Sequence, residues 1–300
     1  MQLYPPSHYD DKANGYTKIS TRPLASAMGA EICGVDLSKL EEGQFEEIKA
    51  ALFHYKMLYF RNQHISLEDQ ENFTLRFGAF GTDAYTSGMP GHPDIQRILK
   101  EADTVVSRVF GDGWHTDSPF LQKPPAISLL YSKDIPPYGG DTWWSNTELA
   151  YDFLSPTLKT LLAPLRVHMS AREVIRNILE TSAPDKLSVG PMQLSMDQQK
   201  IVEGSFHPLV RTHPETKKKS LYVDETYSLG IQGLTSEEAA PLLGYLQKHI
   251  KREEFSCRLR WERDMLVMWD NRICVHKAFN DYDGYRREML RTIVDGEVPV

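Results

Sequence analysis

Residues 255–296 read FSCRLRWERDMLVMWDNRICVHKAFNDYDGYRREMLRTIVDG. Three compact runs, FSCRLRWE, MLVMWDN and LRTIVDG, are rich in branched and aromatic residues, and a turn-forming DYDGY precedes the last. Such runs between turn residues read as β-strands. Moving toward the N-terminus, IQRILK, AISLLYSK, FHPLVRTH and KSLYVDE repeat the pattern, with turns at PPYGGD and HPETKKK. Lys217–Lys219 lies in the second turn, where solvated lysines are the ordinary outcome. MLYFRNQ (57–63) adds a buried strand, and GAEICGVDLSKL a short strand and turn. Many short strands with frequent turns point to a sandwich or barrel. Helices interrupt at 41–55, with Phe45, Ile48, Leu52 and Tyr55 at helical spacing; at 66–76, with Ser66 as cap; at 147–162; and at 235–250, with a Thr235/Glu238 capping box. The expected fold is mainly β with flanking helices.

The 300 residues are read as one domain, 1–300, with a loose polar tail over about 1–16. The polar, patternless stretch 177–204 is either a lid over a site or a long surface loop. With 41% hydrophobic and 25% charged residues the chain has an ordinary globular composition and needs no staples. Its net charge of −7 argues against a nucleic-acid face but permits a locally positive pocket for an anion. Cys33, Cys257 and Cys274 are scattered and form no CxxC pair, which disfavours a disulfide framework or thiolate zinc site. The N-terminus has no apolar signal core, and no run approaches a membrane span of about 20 residues, so the expected location is cytoplasmic.

The central local motif is Gly113-Trp114-His115-Thr116-Asp117. On a strand, residues i and i+2 face the same side, so His115 and Asp117 would present an imidazole and a carboxylate to one point. A second imidazole is needed, and His276 in WDNRICVHKAF is the best placed. Two His and one carboxylate leave open positions on a metal, which suits non-haem Fe(II) oxygenases. An HxD tripeptide is common by chance, and a lone His is most often a satisfied polar residue. Downstream, Arg287, Met289 and Arg291 share one strand face. Two inward arginines are costly unless each meets an anion, a task the planar guanidinium performs bidentately. The alternative is a solvent-facing pair.

Together these segments resemble the TauD/TfdA family of Fe(II)/2-oxoglutarate dioxygenases. GAEICGVDL, YFRNQHIS, RFGAFG, GWHTDSPF, PPYGGDTWWSN, HPLVRTHP, LYVDE, WDNRICVH and the Arg287/Arg291 pair follow the family order from about Thr17 to near the C-terminus. The resemblance implies a double-stranded β-helix, or jelly roll. It implies Fe(II) held by His115, Asp117 and His276, and 2-oxoglutarate as co-substrate with its distal carboxylate on Arg287 and Thr142. It implies O2 as oxidant, release of succinate and CO2, and Arg291 on an anionic group of the substrate. It also implies a homo-oligomer, dimer or tetramer. With Asp117 filling the third protein position, hydroxylation is expected over halogenation.

The chain departs from the taurine enzymes at its substrate end. They carry a His shortly after RFG, whereas residues 79–85 here read AFGTDAY. Tyr85 and Asp224 are candidate substrate contacts. Asp224 stands in LYVDE where members often have Asn, and either meets a cationic substrate group or lies at the surface. The segment before and after the HxD motif looks closer to the phenoxyalkanoate-type members. The expected substrate is thus a small carboxylate or sulfonate whose hydroxylated product can collapse to a carbonyl compound. The alternatives are a sulfonate or sulfate-ester dioxygenase, or a non-catalytic jelly-roll sensor of a small acid.

Overall fold

The computed structural model describes residues 15–104, 111–180 and 197–300. Its strands in chain order are β1 (Ser20–Pro23), β2 (Ala30–Cys33), β3 (Met57–Phe60), β4 (Gly88–Met89), β5 (His92–Lys100), β6 (Ile127–Asp134), β7 (Thr142–Asn146), β8 (Arg166–Met169), β9 (Ser205–Pro208), β10 (Val210–Thr212), β11 (Lys219–Leu221), β12 (Ser228–Ile231), β13 (Ser256–Leu259), β14 (Leu266–Asp270), β15 (Cys274–Ala278) and β16 (Arg287–Val294). The helices are α1 (Glu42–Tyr55), α2 (Leu67–Leu75), α3 (Thr147–Asp152), α4 (Pro156–Leu162), α5 (Arg172–Glu180), α6 (Gln198–Glu203) and α7 (Ser236–Ile250).

An eight-stranded sheet runs β1-β2-β3-β14-β6-β16-β5-β4, and a smaller one runs β13-β7-β15. Strand alternation assigns each residue to a layer. On β14, Val267 and Trp269 pack with Trp144 of β7 and Cys274 of β15, filling the space between the two sheets. Leu266 and Met268 point the other way, into a layer with Phe45, Ile48 and Leu52 of α1 and Phe73 of α2. Both faces of the central strands are therefore covered, which is why they read as continuous apolar runs. The jelly roll expected from the resemblance is the observed architecture, shared with the solved relatives reported below.

Four segments differ from the sequence-based expectation. The helix expected over 147–162 is two, because Pro156 lacks an N–H and Ser155 caps a new helix by accepting from the Leu158 amide. FHPLVRTH is two strands: Leu209 sends its amide to the Leu165 carbonyl and accepts from the Tyr222 amide, switching the chain between sheets. KSLYVDE stays in the ladder only through Leu221, since the Asp224 carboxylate captures the Tyr227 amide at 2.7 Å and turns the chain. The stretch 177–204 is helical at both ends, in α5 and α6, and its middle lies outside the described residues. Most of the candidate lid, residues 181–196, and most of the N-terminal tail therefore lie outside the described residues. All three cysteines are free. No helix among the described residues is long and apolar enough to cross a membrane.

Candidate active site

The large sheet aims Ser128 of β6 and Arg287, Met289 and Arg291 of β16 inward, on the face that carries Leu130. The solvent-facing alternative for the arginines is excluded, since Arg287 is 7% and Arg291 4% exposed. The small sheet contributes Thr142 of β7 and His276 of β15, two ladder positions apart: His276 pairs with Trp144 and Ala278 with Thr142.

His115 and Asp117 are not on a strand, contrary to the expectation from their spacing. His115 makes a single antiparallel bridge to His276, its amide to the His276 carbonyl at 3.0 Å and the return bond at 2.7 Å. Ser118, at φ 43°, then turns the chain away. The convergence thus comes from this bridge rather than from a strand pleat. It places the two imidazoles with ring centroids 4.2 Å apart. Nε2 of His115 and of His276 lie 3.8 and 3.9 Å from Asp117 Oδ1. One donor atom from each of the three residues falls within 4.8 Å of the others, and all three residues are buried.

The surrounding bonds suit these groups to metal binding. His115 Nδ1 donates to the Gly113 carbonyl at 2.8 Å, which selects the tautomer with a free Nε2 lone pair. Gly111, at φ 80°, allows the chain to pass close to that ring, where a Cβ would sit 3.1 Å from Cε1. Burial and the neighbouring His115 push His276 down to about 3, so it stays neutral. Burial works against the Asp117 carboxylate, yet the adjacent imidazoles, Arg291 and the Ser128 hydroxyl hold its pKa below the usual range. Ser128 Oγ donates to Asp117 Oδ2 and is itself held by Asn271 Nδ2 at 2.8 Å. Asn271 Oδ1 accepts from Trp269 Nε1 at 2.8 Å. A buried carboxylate oriented from behind, beside two imidazoles, is a donor set for a divalent cation.

Arg287 carries the second feature. Its guanidinium lies over the rings of Trp261 and Tyr282, and its Nε is buried without a hydrogen-bond partner. No acidic side chain among the described residues pairs with it, and burial lowers its pKa. Trp261 Nε1 donates to Thr142 Oγ1 at 2.9 Å, so one indole touches both members of the expected carboxylate clamp. A buried, unpaired guanidinium beside a hydroxyl fits an external carboxylate, which supplies the charge the interior lacks.

Arg291 is differently placed. Its Nη2 lies 2.8 Å from Asp83 Oδ1, and its Nη1 3.8 Å from Asp117 Oδ1. Asp83 was missed in the sequence; it sits in the segment that lacks the family His, but nothing local announces a partner more than 200 residues away. Tyr85 is buried two rings from His115, through Phe120 and Tyr227. Asp224 is not at the surface. It is fully buried and accepts from the backbone amides of Thr116 and Tyr227, bracing the HxD segment.

Burial raises the Asp224 carboxyl to about 6 from 3.8. A raised folded-state pKa means stability that is complete below about pH 4 and lost as the pH climbs through about 6. Asp224→Asn keeps an acceptor and removes the buried charge. It is expected to gain on the wild type by about 1–3 kcal/mol between pH 5 and pH 8. Thermal unfolding at both pH values checks this, and an unchanged gap contradicts it.

A jelly roll presenting two imidazoles and one carboxylate to a common point defines a non-haem oxygenase type of site. The family model for taurine catabolism dioxygenase TauD, TfdA family, matches residues 20–293, and this chain belongs to that family. The family is that of 2-oxoglutarate-dependent dioxygenases using Fe(II) and O2. The chain is 33% identical over 291 residues to an alkylsulfatase of Acinetobacter baylyi, covering 95% of this chain and 87% of that protein. It is 29% identical over 296 residues to an alpha-ketoglutarate-dependent 2,4-dichlorophenoxyacetate dioxygenase of Cupriavidus pinatubonensis, covering 93% and 99%. A solved taurine dioxygenase from Burkholderia xenovorans superposes with a TM-score of 0.76 at 34% identity, covering 95% of this chain and 93% of that one.

Proposed function

We propose that this dioxygenase hydroxylates a small substrate bearing a carboxylate, sulfonate or sulfate-ester group, at a carbon whose hydroxylation releases a carbonyl product. The observation that carries the reading is the inner face of β16, which turns Arg287 and Arg291 inward, sets Arg291 Nη1 3.8 Å from Asp117 Oδ1, and leaves Arg287 without an acidic partner among the described residues. His115, Asp117 and His276 hold the metal. Arg287 and Thr142 hold the distal carboxylate of 2-oxoglutarate. Fe(II), when bound with 2-oxoglutarate and O2, supplies the oxidising power, with succinate and CO2 released.

The remaining groups orient and exclude water. Ser128 occupies one Asp117 oxygen and leaves Oδ1 toward the imidazoles. Phe120 and Tyr227 form an apolar wall beside His115. Arg291 stands on the metal side as the anion contact, sharing its guanidinium with Asp83. Tyr85 and Asp224 act from behind this wall. Hydrogen abstraction is thereby directed by position, which is the protein's part in cofactor-borne chemistry. Among these groups the resemblance to an alkylsulfatase supports a sulfate ester, in which the hydroxylated carbon bears the ester oxygen.

The test is succinate formation and O2 uptake by the Fe(II)-loaded protein with ascorbate and 2-oxoglutarate. Aryloxyalkanoates, alkyl sulfonates and alkyl sulfates are supplied one at a time, with His115→Ala as control. Stimulation by one class, lost in the control, supports the reading and names the anion. Failure of every class, alongside intact 2-oxoglutarate binding, overturns the anionic-substrate assignment.

A further inference from the structure

The loops beside Arg287 carry three acids. Asp141, Asp281 and Asp283 all lie on the two loops that cover it, residues 137–141 and 279–286. The loops clasp each other: at Gly140, whose φ of 67° favours glycine, a Cβ would press on Arg287 Cδ and Tyr282 Cδ1 at 3.2 Å. Yet each of these carboxylates is held by another group. Asp141 Oδ2 accepts from Arg258 Nε at 2.7 Å. Asp281 Oδ1 accepts from the Gly140 amide at 2.7 Å, and Asp281 Oδ2 lies 4.0 Å from Arg258. Asp283 Oδ1 accepts from Lys100 Nζ at 2.8 Å, with Asn280 Oδ1 also on that ammonium at 2.9 Å.

Lys100 is an unusual residue to find there. It is 2% exposed and pairs directly across the ladder from Arg287, so two cations share one face of neighbouring strands. Like charges in that register repel. Both lie against the Tyr282 ring, with Lys100 Nζ 4.4 Å and Arg287 Cζ 5.9 Å from its centroid. A fold that needed only to neutralise Arg287 could turn an acid of these loops toward it, and Asp141 already acts on it electrostatically. Here the acids are drawn to Lys100, Arg258 and a backbone amide.

We propose that Lys100 and Arg258 are positioning residues that sequester the acidic loops, keeping Arg287 unpaired for the distal carboxylate of the co-substrate. The inference rests on the reading that Arg287 holds that carboxylate. Without Lys100 the Asp283 side chain, on a loop that already touches Arg287 through Tyr282, competes for the guanidinium. The loss is then reversed by removing the competitor.

The experiment is calorimetric titration of 2-oxoglutarate into anaerobic Mn(II)-loaded protein, with thermal unfolding as a check on folding. Lys100→Met is expected to weaken binding by about tenfold or more, the scale of an ion pair gained by a competitor. Asp283→Asn alone stays within about twofold, and the double variant recovers to within about threefold of wild type. Arg258→Gln with Asp141→Asn provides a second pair at a more exposed position, expected to behave in the same way. Should Lys100→Met fail to fold, this pair alone decides. Metal binding stays within about threefold of wild type in Lys100→Met and Arg258→Gln, so the loss is confined to 2-oxoglutarate. Normal binding by folded Lys100→Met or folded Arg258→Gln, or a loss that the second substitution does not reverse, overturns the inference. Arg287→Met separates the two layers of the argument. If it binds 2-oxoglutarate normally, the clamp assignment itself fails; if it does not, the sequestration proposal is judged on the paired variants.

Discussion

Arg287→Met is expected to raise the Kd for 2-oxoglutarate by more than about a hundredfold while leaving metal binding within about threefold. The guanidinium is buried against Trp261 and Tyr282, with no acidic side chain among the described residues to pair with it. A carboxylate arriving there gains a charge-assisted bidentate contact in a dry site, and its loss leaves that carboxylate buried and unpaired. Methionine retains most of the volume, so the cradle formed by Gly140 and Tyr282 stays filled. Because burial already disfavours the Arg287 cation, the variant is also expected to be no less stable than the wild type without co-substrate. Calorimetry with 2-oxoglutarate and thermal unfolding test both parts. A small change in Kd would move the carboxylate to another residue.

His276→Ala is expected to abolish substrate-dependent succinate formation, a fall of more than about a hundredfold, the upper loss ordinarily seen for mere outer-sphere partners of a metal. The imidazole is one of three donors and the only one from β15. Its backbone bonds to His115 do not need the ring, so the bridge that aligns the site survives the substitution. The variant should therefore fold, and its iron content after gel filtration should fall together with activity. Retained iron with lost turnover would mean that His276 serves the reaction without ligating the metal. His276→Gln, which keeps bulk and one polar atom, should recover packing but little activity.

The two expected results draw on different parts of the chain, and these differ in how far sequence reveals them. Strand content, the capped helices α2 and α7, and the hairpin turn carrying Lys217 were legible because they follow from local chemistry: side-chain alternation, a capping box, turn residues. The candidate metal ligands were legible as residue types, and the inward face of Arg287 and Arg291 followed from period-two spacing. Their geometry was misjudged, since the HxD segment is not a strand and takes its alignment from one bridge to a residue far along the chain. Ser128 offered a faint local signal, a small polar residue at an inward position of an otherwise apolar strand, but not its partner Asp117.

Other features had no local signature. Asp83 looks like a loop residue until Arg291 is folded against it, and Asp224 looks exposed until α7 and the HxD segment enclose it. Lys100 reads as the polar end of a strand, and only the ladder sets it opposite Arg287 and beneath the acidic loop. Periodicity and capping act within a few residues, so a linear sequence displays them. The pairing of charges depends on which groups compete for each partner at close range, and that competition exists only once the sheets have brought distant residues together.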